Sequence, residues 1–187
     1  MRFTSIYCIF FLAIVACGHS HEADVIGTDL TPKTYEQEHI THINTGNTTP
    51  DELVTFACSL EGTPYLYGSI DPEKGFDCSG FVTYVFNHFG IAVPRTSADF
   101  TPVQHPIDLK DAKRGDLILF TGTDSTQKVV GHMGIISSLP GEKLAFIHST
   151  SGKAYGVTET SYYDSYYNTR YVKTIRIFKQ NDEDHKY

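Results

Sequence analysis

The chain has no surplus of positive charge. Its 187 residues carry 15 Lys+Arg against 22 Asp+Glu, a formal charge of −7. The clustered cations that displace counterions from phosphate are missing, which excludes a polyelectrolyte grip on DNA or RNA. A membrane-spanning run is missing as well: the apolar stretch Ile6 to Val15 is about ten residues, too short to cross a bilayer of roughly 30 Å as a helix. No His-Glu-x-x-His word is present, which argues against a zinc hydrolase of that type. Tryptophan is absent and cysteine is scarce, with four residues that allow two disulfides at most. No internal repeat is apparent. What is present is ordinary for a globular chain, 40% hydrophobic and 20% charged, so wholesale disorder and a multi-span membrane protein are both ruled out.

The N-terminus has the parts of an export signal. Met1-Arg2 is a short basic start, Ile6 to Val15 has the length of a signal-peptide core, and the run ends in Ile14-Val15-Ala16-Cys17. Small residues directly before a cysteine resemble the lipobox of bacterial lipoproteins, which implies a signal peptide over 1–16 and lipidation of Cys17. Residues 17–48 are polar, with no sustained apolar period, and read as the lipidated cysteine followed by a flexible tether. The pairs His19/His21 and His39/His42 lie in that tether. No cysteine or dense carboxylate cluster completes a ligand set around them, so no metal is expected.

A folded domain is expected over 49–180, with a charged tail over 181–187. Thr49-Pro50-Asp51-Glu52 has the pattern of a capping box with proline at the first helical position. Leu53, Phe56, Ala57 and Leu60 then mark one apolar helical face, and Gly62 can end the helix. Cys58 sits beside that face as a small hydrophobe. Pro64 to Gly75 is rich in turn residues and reads as a loop. A second helix is predicted from about Cys78 to Phe89, apolar nearly all round and hence buried. Strands follow at Leu117–Phe120, Val129–Ser138, Leu144–Ser149, Val157–Thr160 and Tyr171–Phe178. Helices first and strands after give an α+β fold, N-terminal helices packed on a roughly five-stranded antiparallel sheet.

Cys78 stands at the start of the second helix, where unpaired amides carry partial positive charge and favour a thiolate. Candidate proton acceptors are His132, in Gly131-His132-Met133-Gly134, and His148, in Phe146-Ile147-His148-Ser149. A lone buried cysteine is as readily core packing, and a lone histidine a satisfied polar residue. The surrounding words add more. Phe76-Asp77-Cys78-Ser79-Gly80-Phe81-Val82, Gly131-His132-Met133-Gly134-Ile135-Ile136 and His148 resemble the NlpC family of bacterial cell-wall cysteine peptidases. Gly62 to Gly68 and Arg114-Gly115-Asp116-Leu117 also look like that family, and the resemblance covers about Asp51 to Phe178.

The resemblance implies a papain-like fold with Cys78 as nucleophile, His132 as general base and His148 as the residue that orients it. It places Tyr65 on the oxyanion side and Asp77, Ser79 and Ser97 along the substrate cleft, with Asp77 able to pair with a free ammonium on a stem peptide. It implies hydrolysis of peptidoglycan stem peptides, at the γ-D-glutamyl–diamino acid bond or the D-alanyl–diaminopimelyl cross-link. No cofactor is implied. The molecule is expected to be a monomer, lipid-anchored through Cys17 to a bacterial membrane and facing the periplasm or cell wall. An amidase or acyltransferase on the same frame, or a non-catalytic wall-binding lipoprotein, are the alternatives. The sequence departs from the family pattern at Tyr67, often tryptophan, and Ser69, often glycine; Tyr67 is expected to keep an aromatic wall, while Ser69 leaves the loop geometry open. With Cys8 in the signal peptide, Cys17 carrying lipid and Cys78 needed as a thiol, no disulfide is expected.

One geometric requirement follows. His132 and His148 must share a face of neighbouring antiparallel strands. A turn closing only Pro140-Gly141 would pair Leu139 with Glu142, and strict alternation from there would set the histidines on opposite faces. A three- or five-residue connection, or a bulge, is therefore predicted between them.

Overall fold

A computed structural model describes residues 40–103, 105–124, 126–163 and 165–183. The expected signal peptide, Cys17 and most of the tether lie outside these residues. The capping box forms as read. The Thr49 side chain accepts from the Glu52 amide, the Glu52 carboxylate accepts from the Thr49 amide at 2.8 Å, and helix α1 runs Pro50–Ser59. Leu53, Val54 and Ala57 are its buried residues, with Phe56, Cys58 and Leu60 packed at the margin.

The expected loop after α1 contains a small hairpin, β1 (Ile70–Asp71) with β2 (Gly75–Phe76). Gly75 permits it, because at φ +128° its backbone lies against Pro64, and a Cβ there would come within 2.4 Å of the Pro64 carbonyl oxygen. Ser69 holds the loop rather than loosening it: its carbonyl accepts from the Asp77 amide at 3.1 Å and its hydroxyl from the Asp71 amide at 3.1 Å. Helix α2 (Cys78–His88) follows, with Phe81, Val82, Val85 and Phe86 fully buried.

The main sheet is antiparallel. Its strands are β3 (Pro106–Ile107), β4 (Leu117–Thr121), β5 (Val130–Ile136), β6 (Ala145–Thr150), β7 (Gly156–Ser161) and β8 (Tyr171–Ile175), in the order β3-β8-β4-β5-β6-β7. Five strands of useful length match the expected five, and the two-residue β3 adds an edge. Leu117, Leu119, Met133, Ile135 and Ile147 join the helices in the main core. Ile118, Phe120, Ile136 and Phe146 form a smaller cluster on the other face with Tyr162 and Tyr167.

The β5–β6 connection holds the predicted irregularity. The Glu142 amide donates to the Leu139 carbonyl at 3.1 Å, so Pro140-Gly141 does form the tight turn, with Gly141 at φ +85°. The amides of Ser137 and Ser138 then both point at the Ala145 carbonyl, at 3.0 and 3.5 Å. Two residues oppose one, which is a bulge. It shifts the strands into the register Ile135↔Ile147 and Ile136↔Phe146, so even-numbered side chains of both strands share a face.

Both expected ends of the domain move outward. Ile43 is 5% exposed and belongs to the main core with Ile40 against it, so the segment expected as tether joins the domain from at least Ile40. Two isoleucines three residues apart supply apolar surface that a polar average over the segment hides. At the other end Gln180–Glu183 is a short helix, and Asn181 is buried with its amide on the Arg114 carbonyl and the Asp116 carboxylate. The closing strand ends at Ile175, short of Phe178, and the Arg176 amide donates instead to the His105 carbonyl.

Asp116 is the hub of that corner. It is fully buried and accepts from the Lys113 amide at 2.8 Å and from Arg176 at 3.2 Å. Arg176 is itself buried and reaches Asp182 and the Asp111 carbonyl. Removing one member of a buried pair strands the other charge. Asp116→Ala is expected to lower unfolding free energy by about 3–5 kcal/mol, read from the urea midpoint at constant m. A loss below about 1 kcal/mol would show that Arg176 escapes to water or re-pairs.

Candidate active site

Helix α2 begins where the backbone can place a nucleophile. Asp77 is its N-cap, with the carboxylate accepting from the Gly80 amide at 2.5 Å, so Cys78 is the first helical residue. Gly80 is required for a steric reason: a Cβ there would fall 2.0 Å from the Ser69 carbonyl oxygen, so the loop could not lie over the first turn. The Cys78 thiol is half-buried and free, as is that of Cys58. The backbone N–H groups of Ser79, Met133 and Cys78 itself favour its charged form, as expected at a helix start. Burial and the neighbouring Asp77 charge outweigh them and push the thiol pKa up. The surroundings of the thiol in this structure do not by themselves favour a thiolate.

Strand β5 lies beside the thiol. The Met133 amide that faces the thiol belongs to the residue after His132. The β4–β5 pairing shifts register there, Phe120 opposing His132 and Thr121 opposing Val130, so Gly131 is the extra residue of a second bulge. Bulges re-aim the side chains beside them. His132 Nε2 lies 2.7 Å from His148 Nδ1, and His148 Nε2 lies 3.0 Å from the Thr160 hydroxyl. The second glycine of Gly-His-Met-Gly makes room for this: a Cβ on Gly134 would meet the Ile147 carbonyl oxygen at 2.9 Å and the His148 Cβ at 3.1 Å.

Both imidazoles are buried. Burial holds His132 well below the usual histidine range, with the neighbouring His148 and then Arg170 adding to it. Burial, then Arg170, lowers His148 to about 3. The Tyr167 ring stacks on His132 at 5.3 Å and meets His148 edge-on at 5.0 Å, and its hydroxyl bonds Thr150 at 3.0 Å. Arg170 lies over Tyr167, 5.2 Å from the ring centroid. Its guanidinium donates to the Thr121 carbonyl at 2.7 Å and to the Tyr166 hydroxyl, and its Nε has no hydrogen-bond partner among the described residues.

The cleft residues are placed unevenly. Tyr65 stands near the nucleophile: burial raises its phenol pKa, and charges on Cys78 and Asp77 add to the rise. Asp77 and Ser79 flank Cys78, but both are occupied. Arg95 grips the Asp77 carboxylate at 2.9 and 3.2 Å and donates to the Ser79 hydroxyl at 3.1 Å. Ser97 opens a short 3₁₀ turn, half-buried, with no hydrogen bond from its hydroxyl among the described residues. Tyr67 is 87% exposed and makes no ring contact among the described residues.

Four residues at this site were not predicted: Arg95, Thr160, Tyr167 and Arg170. Thr160 was within reach of sequence reasoning. In the β6–β7 hairpin His148 pairs with Thr158, so Thr160 lies diagonally on the same face. Tyr167 and Arg170 come from a 3₁₀ turn, Tyr166–Arg170, that carries no periodic signal.

The bifunctional muramidase/DL-endopeptidase CwlT of Bacillus subtilis is 37% identical over 107 residues, covering 57% of this chain and 31% of that protein. The γ-DL-glutamyl hydrolase of the same organism is 33% identical over 132 residues, covering 70% and 30%. The chain thus spans about a third of the length of these two relatives. The crystal structure of an NlpC/P60 family protein from Bacillus cereus superposes with a TM-score of 0.62 at 25% identity, over 72% of this chain and 42% of that one. The profile of the NlpC/P60 family matches residues 62–176, a span that runs from the loop before Cys78 through both histidines to Arg176, and the chain belongs to that family.

Proposed function

We propose that the chain is a cysteine endopeptidase that hydrolyses the γ-D-glutamyl–diamino acid bond of peptidoglycan stem peptides. The observation that carries this is the His132 imidazole, hydrogen-bonded to His148 of β6 and carried on the strand whose Met133 amide faces Cys78 at the head of α2. His132 Nε2 is engaged by His148, which leaves Nδ1 for the thiol. The Cys78 proton passes to Nδ1 as sulfur attacks the glutamyl carbonyl carbon. The developing oxyanion is met by the Cys78 amide and by Tyr65. His132 returns the proton to the leaving amine as the C–N bond breaks. Water, deprotonated by the same imidazole, then adds to the thioester, and the sulfur leaves as the acid is released. The choice of the glutamyl bond is supported by the names of the two relatives, a DL-endopeptidase and a γ-DL-glutamyl hydrolase.

The proposal extends to location. The basic start, the apolar run Ile6 to Val15 and Ala16-Cys17 support a lipid anchor at Cys17 on a bacterial membrane, facing the wall. Digestion of purified sacculi followed by mass spectrometry tests the reaction. The expected products are muropeptides shortened to the L-alanyl-D-glutamyl dipeptide, with release of fragments bearing a free diamino-acid amine. Opening of the D-alanyl cross-link alone would overturn the bond assignment, and unchanged muropeptides would overturn the peptidase reading.

A further inference from the structure

The 3₁₀ turn Tyr166–Arg170 ends on a buried cation. Arg170 is 4% exposed, and no ion pair among the described residues includes it. Two of its nitrogens donate, Nη2 to the Thr121 carbonyl at 2.7 Å and Nη1 to the Tyr166 hydroxyl, while Nε finds no acceptor among the described residues. A buried ion left without an opposite charge is costly. Arg176, buried as well, shows the usual arrangement, with the Asp116 carboxylate at 3.2 Å. An exception such as Arg170 marks a position held for function rather than for stability.

Arg170 is tied to the imidazole pair by two routes. The first is Tyr167. The guanidinium carbon lies 5.2 Å from the centre of that ring, and the same ring is 5.3 Å from His132 and 5.0 Å from His148. One aromatic side chain thus meets the cation and both bases. The second route is Thr121, the last residue of β4. Arg170 holds its carbonyl where β4 and β5 shift register, at the Gly131 bulge beside His132. Space there is tight: a Cβ on Gly131 would come within 2.7 Å of the Gly122 Cα. The titratable groups around the pair are Cys78, with Asp77 and Tyr65 near it, Tyr166 and Tyr167 on the turn, and Lys153 on the β6–β7 connection. The Arg170 charge bears on both rings, and no carboxylate among the described residues offsets it.

We propose that Arg170 is a positioning residue of the peptidase: it holds the His132–His148 pair through Tyr167 and Thr121, and its charge keeps a solvent proton off the pair until the Cys78 thiol supplies one. The inference rests on the cysteine-peptidase reading, in which His132 must be uncharged to act as base. The physical basis is that a fixed cation in a poorly solvated site raises the cost of a second positive charge beside it. The same effect acts after attack. The proton that His132 takes from sulfur meets an unfavourable charge, which makes the imidazolium a stronger acid toward the leaving amine. Arg170 makes no hydrogen bond to either imidazole, so it acts through the ring and the strand end that it holds and through its field.

The test is the pH dependence of kcat/KM on soluble muropeptides, for the wild-type chain and two variants checked for folding by circular dichroism. The wild-type acid limb is expected below about pH 6, under the ordinary histidine value. Arg170→Gln is expected to move that limb up by about one pH unit or more. Arg170→Lys keeps the charge but not the planar fork, so its limb is expected within about 0.3 unit of wild type even where its plateau kcat/KM falls. An unmoved limb in folded Arg170→Gln overturns the proposal. So does an equal shift in both variants, because packing and not charge would then govern the proton. If Arg170→Gln does not fold, the wild-type limb decides, and a limb at or above about pH 6.5 overturns the proposal. Wild-type cleavage with a limb insensitive to Arg170 refutes this inference alone, whereas muropeptides left uncut by the wild type refute the peptidase reading itself.

Discussion

Cys78→Ala is expected to reduce stem-peptide turnover by at least about 10⁴-fold while the domain stays folded. The two halves of that statement have separate causes. Loss of turnover follows because no other described thiol is placed to substitute: Cys58 sits in α1, and burial raises its thiol pKa as well. Retention of the fold follows because Cys78 does not hold its own helix. The cap comes from Asp77, the clearance over the first turn from Gly80, and the anchoring apolar contacts from Phe81, Val82, Val85 and Phe86. The change in stability is therefore expected to stay within about 1 kcal/mol, read by urea titration beside the muropeptide assay. Turnover surviving in a folded variant would remove Cys78 from the mechanism. Collapse of the fold would instead show that the half-buried sulfur packs more than its neighbours indicate, and Cys78→Ser would then separate nucleophilicity from volume.

What could be read from the chain before any coordinates depended on how local the signal was. Thr49 and Glu52 satisfy each other's backbone within three residues, so α1 was legible, and its cap formed as written. The even-numbered face shared by His132 and His148 was legible as a requirement, since alternation is a property of any strand. Its solution, the Ser137/Ser138 bulge against Ala145, was foreseen as one of several options. The residues that tune the site came from further away. Arg95 is 18 positions from Asp77, and Arg170 is 22 positions from His148 in a stretch that forms a 3₁₀ turn rather than a regular element. Nothing in a tyrosine-rich segment says which ring will stack on a histidine. The helix-dipole argument for Cys78 was correct in sign, but it omitted the Asp77 charge next door and the burial, both of which act against it. The burial of Ile43 and Asn181 is a property of individual side chains that the average polarity of their segments does not show.

His148→Ala is expected to lower kcat/KM by about 10²–10³-fold, less than removal of a buried carboxylate from an equivalent place. His148 is neutral at working pH, so it supplies orientation and one acceptor but no full negative charge. Its single ring proton can sit on Nδ1, toward His132, or on Nε2, toward Thr160. Only the second arrangement leaves a lone pair for the His132 Nε2–H, and only then is His132 Nδ1 free to accept the thiol proton. Thr160 favours it: the residue lines a cavity of about 460 Å³ with Thr150, Thr158 and Lys153, where its own hydroxyl proton can go to water while its oxygen accepts from His148. Thr160→Val should therefore cost about tenfold and Thr160→Ser should restore activity. Equal loss in both variants would mean that Thr160 acts through packing and not through the tautomer. Stability gives a second readout, independent of turnover. A histidine near 6.5 unfolded and about 3 folded binds fewer protons in the native state across that window, so stability is full above pH 6.5 and falls as pH drops toward 3, by about 1.4 kcal/mol per unit. His148→Gln has no ring to protonate and should flatten that slope by one proton, leaving the contribution of His132, whose shift has the same sign. An unchanged slope would place the buried, neutral state of His148 in error, and with it the argument that Thr160 selects its tautomer.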